Sequence, residues 1–141
     1  MASDAQDLAE RSAAAMWAED NAAQHLGMKL VSVGPGRAVM TMLVKDTMTN
    51  GHGLCHGGYI FTLADTAFAY SCNSYGQRTV AQSAQIAFIA PGKRGMTLTA
   101  EAAERQRGER SGIYDITVRD EAGHIIAEFR GASRSIPGNL V

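Results

Sequence analysis

The spacing of apolar residues changes along the chain, and each change marks an element. From Asp4 to Ala18 the apolar stripe is weak, with Leu8, Ser12, Ala15 and Trp17 set among good helix formers. This predicts a helix over residues 4–18, capped by Ser3 or Asp4 and packed on the outside of the fold. Asp20 or Asn21 caps a second short helix that ends near Gly27. From Met28 the period becomes two. Met28, Leu30 and Val31-Ser32-Val33 read as a strand, Gly34-Pro35-Gly36 as a turn. Ala38, Met40, Met42 and Val44 then alternate with Arg37, Val39, Thr41 and Leu43, which completes a hairpin.

Residues 47–57 form a loop by composition. From Gly57 to Ser74 the period is helical again, with Tyr59, Ile60, Leu63, Ala64, Ala67, Phe68 and Ser71 at three- and four-residue spacings. The opposite face is also nearly uncharged, which predicts a helix buried all round. Beyond it the chain is almost all strand. Residues 79–90 place Val80, Gln82, Ala84, Ile86 and Phe88 on one face. Residues 96–105, 113–119 (Tyr114, Ile116, Val118) and 124–135 (Ile125, Ala127, Phe129) follow, joined by short glycine turns, and 137–141 form a tail. The order is two strands, one helix, four strands. It predicts an α+β domain in which a curved antiparallel sheet wraps one long central helix. One six-stranded sheet cannot enclose a helix and protect its own edges, so the remaining cover is expected from a second subunit.

The chain has 141 residues, 45% hydrophobic and 19% charged, which fits a single domain over 1–141 with residues 1–27 as an N-terminal helical segment. The formal net charge of −1 gives no reason to invoke nucleic acid, and no apolar run approaches a membrane span. Met1-Ala2-Ser3-Asp4-Ala5-Gln6-Asp7 is acidic and lacks an apolar core, so it does not read as a signal peptide. Cys55 and Cys72 are read as reduced thiols, and the expected location is cytoplasmic.

One charged side chain, Asp65, sits in the stretch Thr47–Gln77. A buried ionised carboxylate is costly unless paired, and its pKa moves with desolvation, which suits an acid or base catalyst. The plainer alternative is a carboxylate satisfied by the hydroxyls of Thr62 or Thr66. Gly57 and Gly58 open the helix, where unpaired N–H groups and the positive dipole end attract a developing oxyanion. Eight residues separate Gly57 from Asp65, about 12 Å along the axis. Base and oxyanion donor must both lie near the reacting atoms, so Asp65 cannot serve its own Gly57. Two antiparallel copies of the helix can place each Asp65 beside the partner helix's start, which predicts a dimer with shared sites. His52, Cys55 and His56 lack a paired-cysteine or distant-ligand spacing, so no metal is expected. Cys55 also lacks a base and reads as a packing residue.

Asn50-Gly51-His52-Gly53-Leu54-Cys55-His56-Gly57-Gly58, followed by Leu63-Ala64-Asp65-Thr66-Ala67-Phe68-Ala69-Tyr70, closely resembles the hotdog-fold acyl-CoA thioesterases, and within them the phenylacetic acid degradation subfamily. Strand order and the segment Ile86-Ala87-Phe88-Ile89-Ala90-Pro91-Gly92 extend the likeness from Ala22 onward. The resemblance implies hydrolysis of an acyl-CoA, phenylacetyl-CoA or a hydroxylated relative, without metal or redox cofactor. It implies dimers joined edge to edge that pair into tetramers. Asp65 would activate water or attack directly; Gly57 or Gly58, with Asn50, would hold the carbonyl. Ser83 or Gln82 lies where related enzymes orient the water, and His56 supports the loop. Phe61 and Phe68, with Met40 and Met42, are core residues of which some can line an acyl pocket. Arg94 and Arg107 are candidates for the CoA phosphates, against a plain solvated surface. The rival readings are a hotdog hydratase or dehydratase using His52 or His56, and a non-catalytic acyl-CoA sensor.

Overall fold

Capping decides where the chain's first helices begin. The computed structural model describes residues 3–141. Helix α1, Asp4–Trp17, starts at Ser3, whose hydroxyl accepts from Gln6 N at 3.1 Å. Helix α2, Asn21–His25, starts at Asp20, whose carboxylate accepts from Ala23 N at 3.2 Å. The buried stripe of α1 is Ala9, Ser12 and Ala13 rather than the expected Leu8, Ser12, Ala15 and Trp17. Small residues let the helix lie close on β1 (Lys29–Gly34), and the Gln6 side chain ties it there through Val33 O at 2.7 Å.

The remaining elements are β2 (Arg37–Leu43), α3 (Gly57–Cys72), β3 (Gln77–Phe88), β4 (Thr97–Arg107), β5 (Ser111–Arg119) and β6 (Ile125–Asn139), with a single 3₁₀ turn at Asp46–Met48. They build one six-stranded sheet in the order β1-β2-β4-β5-β6-β3, antiparallel throughout. Six strands span about 24 Å, yet α3, about 10 Å wide, touches every one of them. The sheet therefore curls round the helix, as the apolar pattern of α3 required.

Two β-bulges change which residues face that helix. Between Ala81 and Ser83 the register of β3 on β6 slips by one. Ala81 lies opposite the buried Ser133, whereas Ala84, Ile86 and Phe88 lie opposite Gly131, Phe129 and Ala127. Val80 lies opposite the exposed Arg134, so it does not share a face with Ile86 and Phe88 as the alternation predicts. The second bulge falls at Ile126, which is buried while Ile125 is exposed. Strand β6 also runs to Asn139, through most of the expected tail. Gln77 pairs with Asn139, and the Gln77 amide donates to the carbonyls of Ile136 and Gly138.

The core lies between sheet and helix. Ile60, Leu63, Ala64, Ala67 and Phe68 of α3 meet Met40, Met42, Leu98, Ile116, Val118 and Phe129 of the strands. Phe68 is held between Tyr114 and Phe129, with ring centroids 5.6 and 5.9 Å away. Its ring lies where a side chain on Gly131 would be: a Cβ there would stand 2.7 Å from the ring atoms. Neither ring nor strand has room to yield. Gly131→Ala is predicted to destabilise the fold by about 1–3 kcal/mol, the usual cost of overpacking, read as a lowered midpoint in urea unfolding.

Candidate active site

The loop that delivers the chain into α3 is held by one side chain. Asn50 Oδ1 accepts from His52 N at 2.9 Å and Leu54 N at 3.2 Å. Its backbone pairs with Leu54 O at 2.9 Å, and Gly53 closes the turn at φ +74. Because both neighbours are donors, only the oxygen of the carboxamide can face them, which leaves the Asn50 Nδ2 hydrogens free to donate outward. Outside the turn, Cys55 N donates to Gly92 O and His56 N to Met48 O, each at 2.7 Å. These bonds seat the loop between two other segments.

His56 is the N-cap residue of α3, extended at φ −62 and ψ 134, with no side-chain capping bond. No described residue accepts from the N–H groups of Gly57 or Gly58. An uncapped helix start leaves its orphan donors and the positive end of the dipole available to a ligand oxygen. Gly57 borders a cleft of about 380 Å³, lined also by Asn50, Leu54, Ile60, Phe88 and Pro91 among others. Its walls are apolar apart from the Asn50 carboxamide and backbone. Larger clefts lie on the outer face of the sheet (about 410 Å³) and between α1 and β1 (about 530 Å³), both away from α3.

Asp65 does not line the cleft at the head of its own helix. It is half-buried, and burial raises its pKa above the usual carboxylate value. The hydroxyls of Thr62 and Thr66 do not satisfy it. They donate instead to the carbonyls of Gly58 at 2.9 Å and Thr62 at 2.6 Å. No other described group donates to this carboxylate. Asp65 belongs to a stripe with Gly58, Thr62, Thr66 and Ala69, the part of α3 that the sheet leaves partly open. The helix is thus covered on most of its circumference but not all round.

The structure separates the other predicted residues. Phe61 packs edge-on against Phe129, centroids 5.3 Å apart. Phe68 is core, closed off by Tyr114, Phe129 and Gly131, and so does not line a pocket in this chain. Ser83 lies opposite Ala132, between the helix-facing Gly131 and Ser133, and therefore falls on the face away from α3. Gln82 is the extra residue of the bulge. Arg94 borders the Asn50 loop, paired with Asp46 at 2.9 Å. Arg107 is at the other end of the sheet, 3.5 Å above the Tyr75 ring, where Tyr75 and Tyr114 donate to Glu104. Among the described residues no His, Cys, Asp and Glu side chains group as a metal site, and no helix is long and apolar enough to cross a membrane. Sequence reasoning missed Phe88 as a residue of the cleft. Its one local signal is that a large aromatic immediately precedes the Ile89-Ala90-Pro91 turn.

The family model of the thioesterase superfamily matches residues 52–127, which run from the loop to the first residues of β6. The acyl-coenzyme A thioesterase PaaI of Escherichia coli K12 is 46% identical over 130 residues, 92% of this chain and 93% of the relative. The structure of that E. coli protein, from the phenylacetic acid degradation operon, superposes with a TM-score of 0.94 over 95% of this chain and 97% of its own. Human acyl-coenzyme A thioesterase 13 is 31% identical over 72% of this chain and 74% of its own length. A Streptococcus mutans UA159 protein solved bound to acetyl CoA is 28% identical, with a TM-score of 0.76 over 79% of this chain and 90% of its own. Both the sequence kinship and the helix-in-sheet architecture lead to one assignment: the chain belongs to the thioesterase superfamily and is a hotdog-fold thioesterase.

Proposed function

We propose that this thioesterase releases CoA from acyl-CoA thioesters, with phenylacetyl-CoA or a hydroxylated phenylacetyl-CoA as substrate. The observation that carries the site assignment is Asp65: a half-buried carboxylate with no donor among the described residues, on a helix otherwise free of charge. CoA as the leaving group is supported by the relative solved with acetyl CoA. The arylacetyl choice is supported by the operon of the E. coli relative.

The thioester carbonyl oxygen docks on the Gly57 or Gly58 N–H and on Asn50 Nδ2. These donors are preorganised for the charge that grows on that oxygen. Asp65 takes a proton from water as the water oxygen bonds to the carbonyl carbon. Collapse of the tetrahedral intermediate breaks the carbon–sulfur bond and expels the CoA thiolate. Direct attack by Asp65, through an anhydride that water then opens, uses the same geometry. Arg94 and the neighbouring Lys93, beside the Asn50 loop, are placed for the CoA phosphates.

The site is shared between two subunits. About 12 Å separates the oxyanion donors from Asp65 on one helix. The stripe carrying Asp65 lacks cover in a single chain. Strand β3 is a 12-residue edge with Val80 exposed, a template for pairing with a second copy. Thr62 and Thr66 have already satisfied their hydroxyls, so covering them costs little, and the polar cost of burying that stripe falls on Asp65.

Asp65→Asn separates stability from activity. Burial makes the folded chain hold this proton more tightly than the unfolded chain does. Below the ordinary carboxylate pKa the cost of ionising Asp65 in the fold is absent; it grows as pH rises through that value to the raised one. The variant is therefore expected to melt above the wild type at neutral pH, with the gap closing toward about pH 3. Its kcat/KM for phenylacetyl-CoA should fall by about 10²–10⁴. Equal turnover by the two proteins would remove Asp65 from the mechanism, and binding without turnover by the wild type would identify an acyl-CoA sensor.

Sharing is tested by complementation. Gly57→Pro deletes the donor in a backbone that suits a first helical position after extended His56, and it also displaces the Phe88 ring, which a Cβ there meets at 2.9 Å. Each variant alone should be inactive. A verified heterodimer of Asp65→Asn and Gly57→Pro chains retains one intact site of two, so it should recover about half of the wild-type turnover. An inactive heterodimer would show that each site is built within one chain.

A further inference from the structure

Phe88 lies 53% exposed at the end of an edge strand, yet its ring is not loose. A Cβ on Gly57 would stand 2.9 Å from its Cζ atom, so the ring rests on the first residue of α3. By contrast, no described residue lies within 4 Å of the same position on Gly58. The two glycines thus differ in surroundings: one is roofed by an aromatic ring, the next is open.

The bulge between Ala81 and Ser83 decides this placement. Without the slip, the face of Thr79 and Ala81 would continue to Gln85 and Ala87, and Phe88 would point away from the helix. With it, Phe88 lies opposite Ala127 on the helix-facing side, but beyond the part of α3 that buries side chains. The ring adds little to the core of its own chain. What it forms is an apolar wall of the cleft, directly beside the helix-start donors.

We propose that Phe88 is the residue that sets acyl-group selectivity, taking a flat aromatic acyl group against its ring. This rests on the thioesterase reading above. A carbonyl oxygen on the Gly57 or Gly58 N–H puts the carbonyl carbon next to the Phe88 ring. A phenyl group one methylene beyond that carbon has its centre within about 4 Å of it, by ordinary carbon–carbon bond lengths. That brings the two rings within the 4.5–7 Å separation typical of aromatic pairs. A straight alkyl chain gains contact area there but no ring pairing.

The test compares kcat/KM for phenylacetyl-CoA and hexanoyl-CoA in wild type, Phe88→Leu and Phe88→Tyr. Phe88→Leu should lose about fivefold to tenfold on phenylacetyl-CoA and change by less than about twofold on hexanoyl-CoA. Phe88→Tyr, which keeps the ring, should retain the wild-type ratio. An equal loss on both substrates would overturn the proposal, as would a change of subunit assembly in Phe88→Leu by sedimentation, which would make the ring a subunit contact. A measurement on the wild type alone guards against misfolded variants: phenylacetyl-CoA should exceed cyclohexylacetyl-CoA by at least about threefold, and equal values would refute ring pairing. A wild type inert toward every acyl-CoA would overturn the thioesterase reading itself. An active wild type with an unchanged ratio in Phe88→Leu would overturn only the role of Phe88.

Discussion

The packing of Phe68 into the sheet is the contact on which the rest depends. Its ring fills the space that Gly131 leaves vacant and lies between Tyr114 and Phe129, so it fixes the depth and rotation of α3. Interiors packed this tightly do not deform by degrees. Once that rotation is set, Ile60, Leu63, Ala64 and Ala67 are covered by strands, and Gly58, Thr62, Asp65, Thr66 and Ala69 are left as the open stripe. The site chemistry follows from that division. A carboxylate on the covered face would face the full cost of burial. On the open stripe, Asp65 is half-buried, with its pKa raised by desolvation and room for a second surface against it.

The two ends of the proposed chemistry are built differently. The donor end is held by backbone: the Asn50 turn, the bonds from Cys55 to Gly92 and from His56 to Met48, and an uncapped helix start. Such donors need no reorganisation when charge develops. The carboxylate end is held only by the helix itself. Its hydroxyl neighbours are committed to carbonyls one turn back, so no donor among the described residues lowers its energy as an anion. Under the shared-site reading, water and substrate would meet that anion only when a second chain closes over the stripe. Assembly and activation would then be one event.

Stability and function pull apart at Asp65 for the same reason. Desolvation that suits a general base also weakens the fold at neutral pH, a common feature of active sites. At Gly131 the two agree, because the glycine that admits Phe68 also sets the helix that carries the site. Arg94 and Arg107, both candidates for the CoA phosphates against a plain solvated surface, are placed apart, and Arg107 is the one away from the Asn50 loop. It stacks on Tyr75 above the Glu104 cluster, far along the sheet from that loop.

The sequence by itself determined the elements, the single carboxylate on an apolar helix, the glycine pair at its start and the distance between them. These depend on local spacing, which the chain carries explicitly. The likeness to hotdog thioesterases was legible in the same stretch. Tertiary structure alone decided which residues those elements turn toward one another. A strand's faces alternate with period two, so one bulge reverses every side chain beyond it. The slip at Ala81 and Ser83 parted Val80 from Phe88, turned Ser83 away from the helix and set Phe88 over Gly57. The slip at Ile126 exchanged the burial of two adjacent isoleucines. The first of these bulges is settled by pairing with a strand some fifty residues distant, as Ser83 pairs with Ala132, and no local pattern announces it. The open stripe on α3 was hidden for a related reason: an apolar helix looks alike on every side until the sheet has chosen which side to cover.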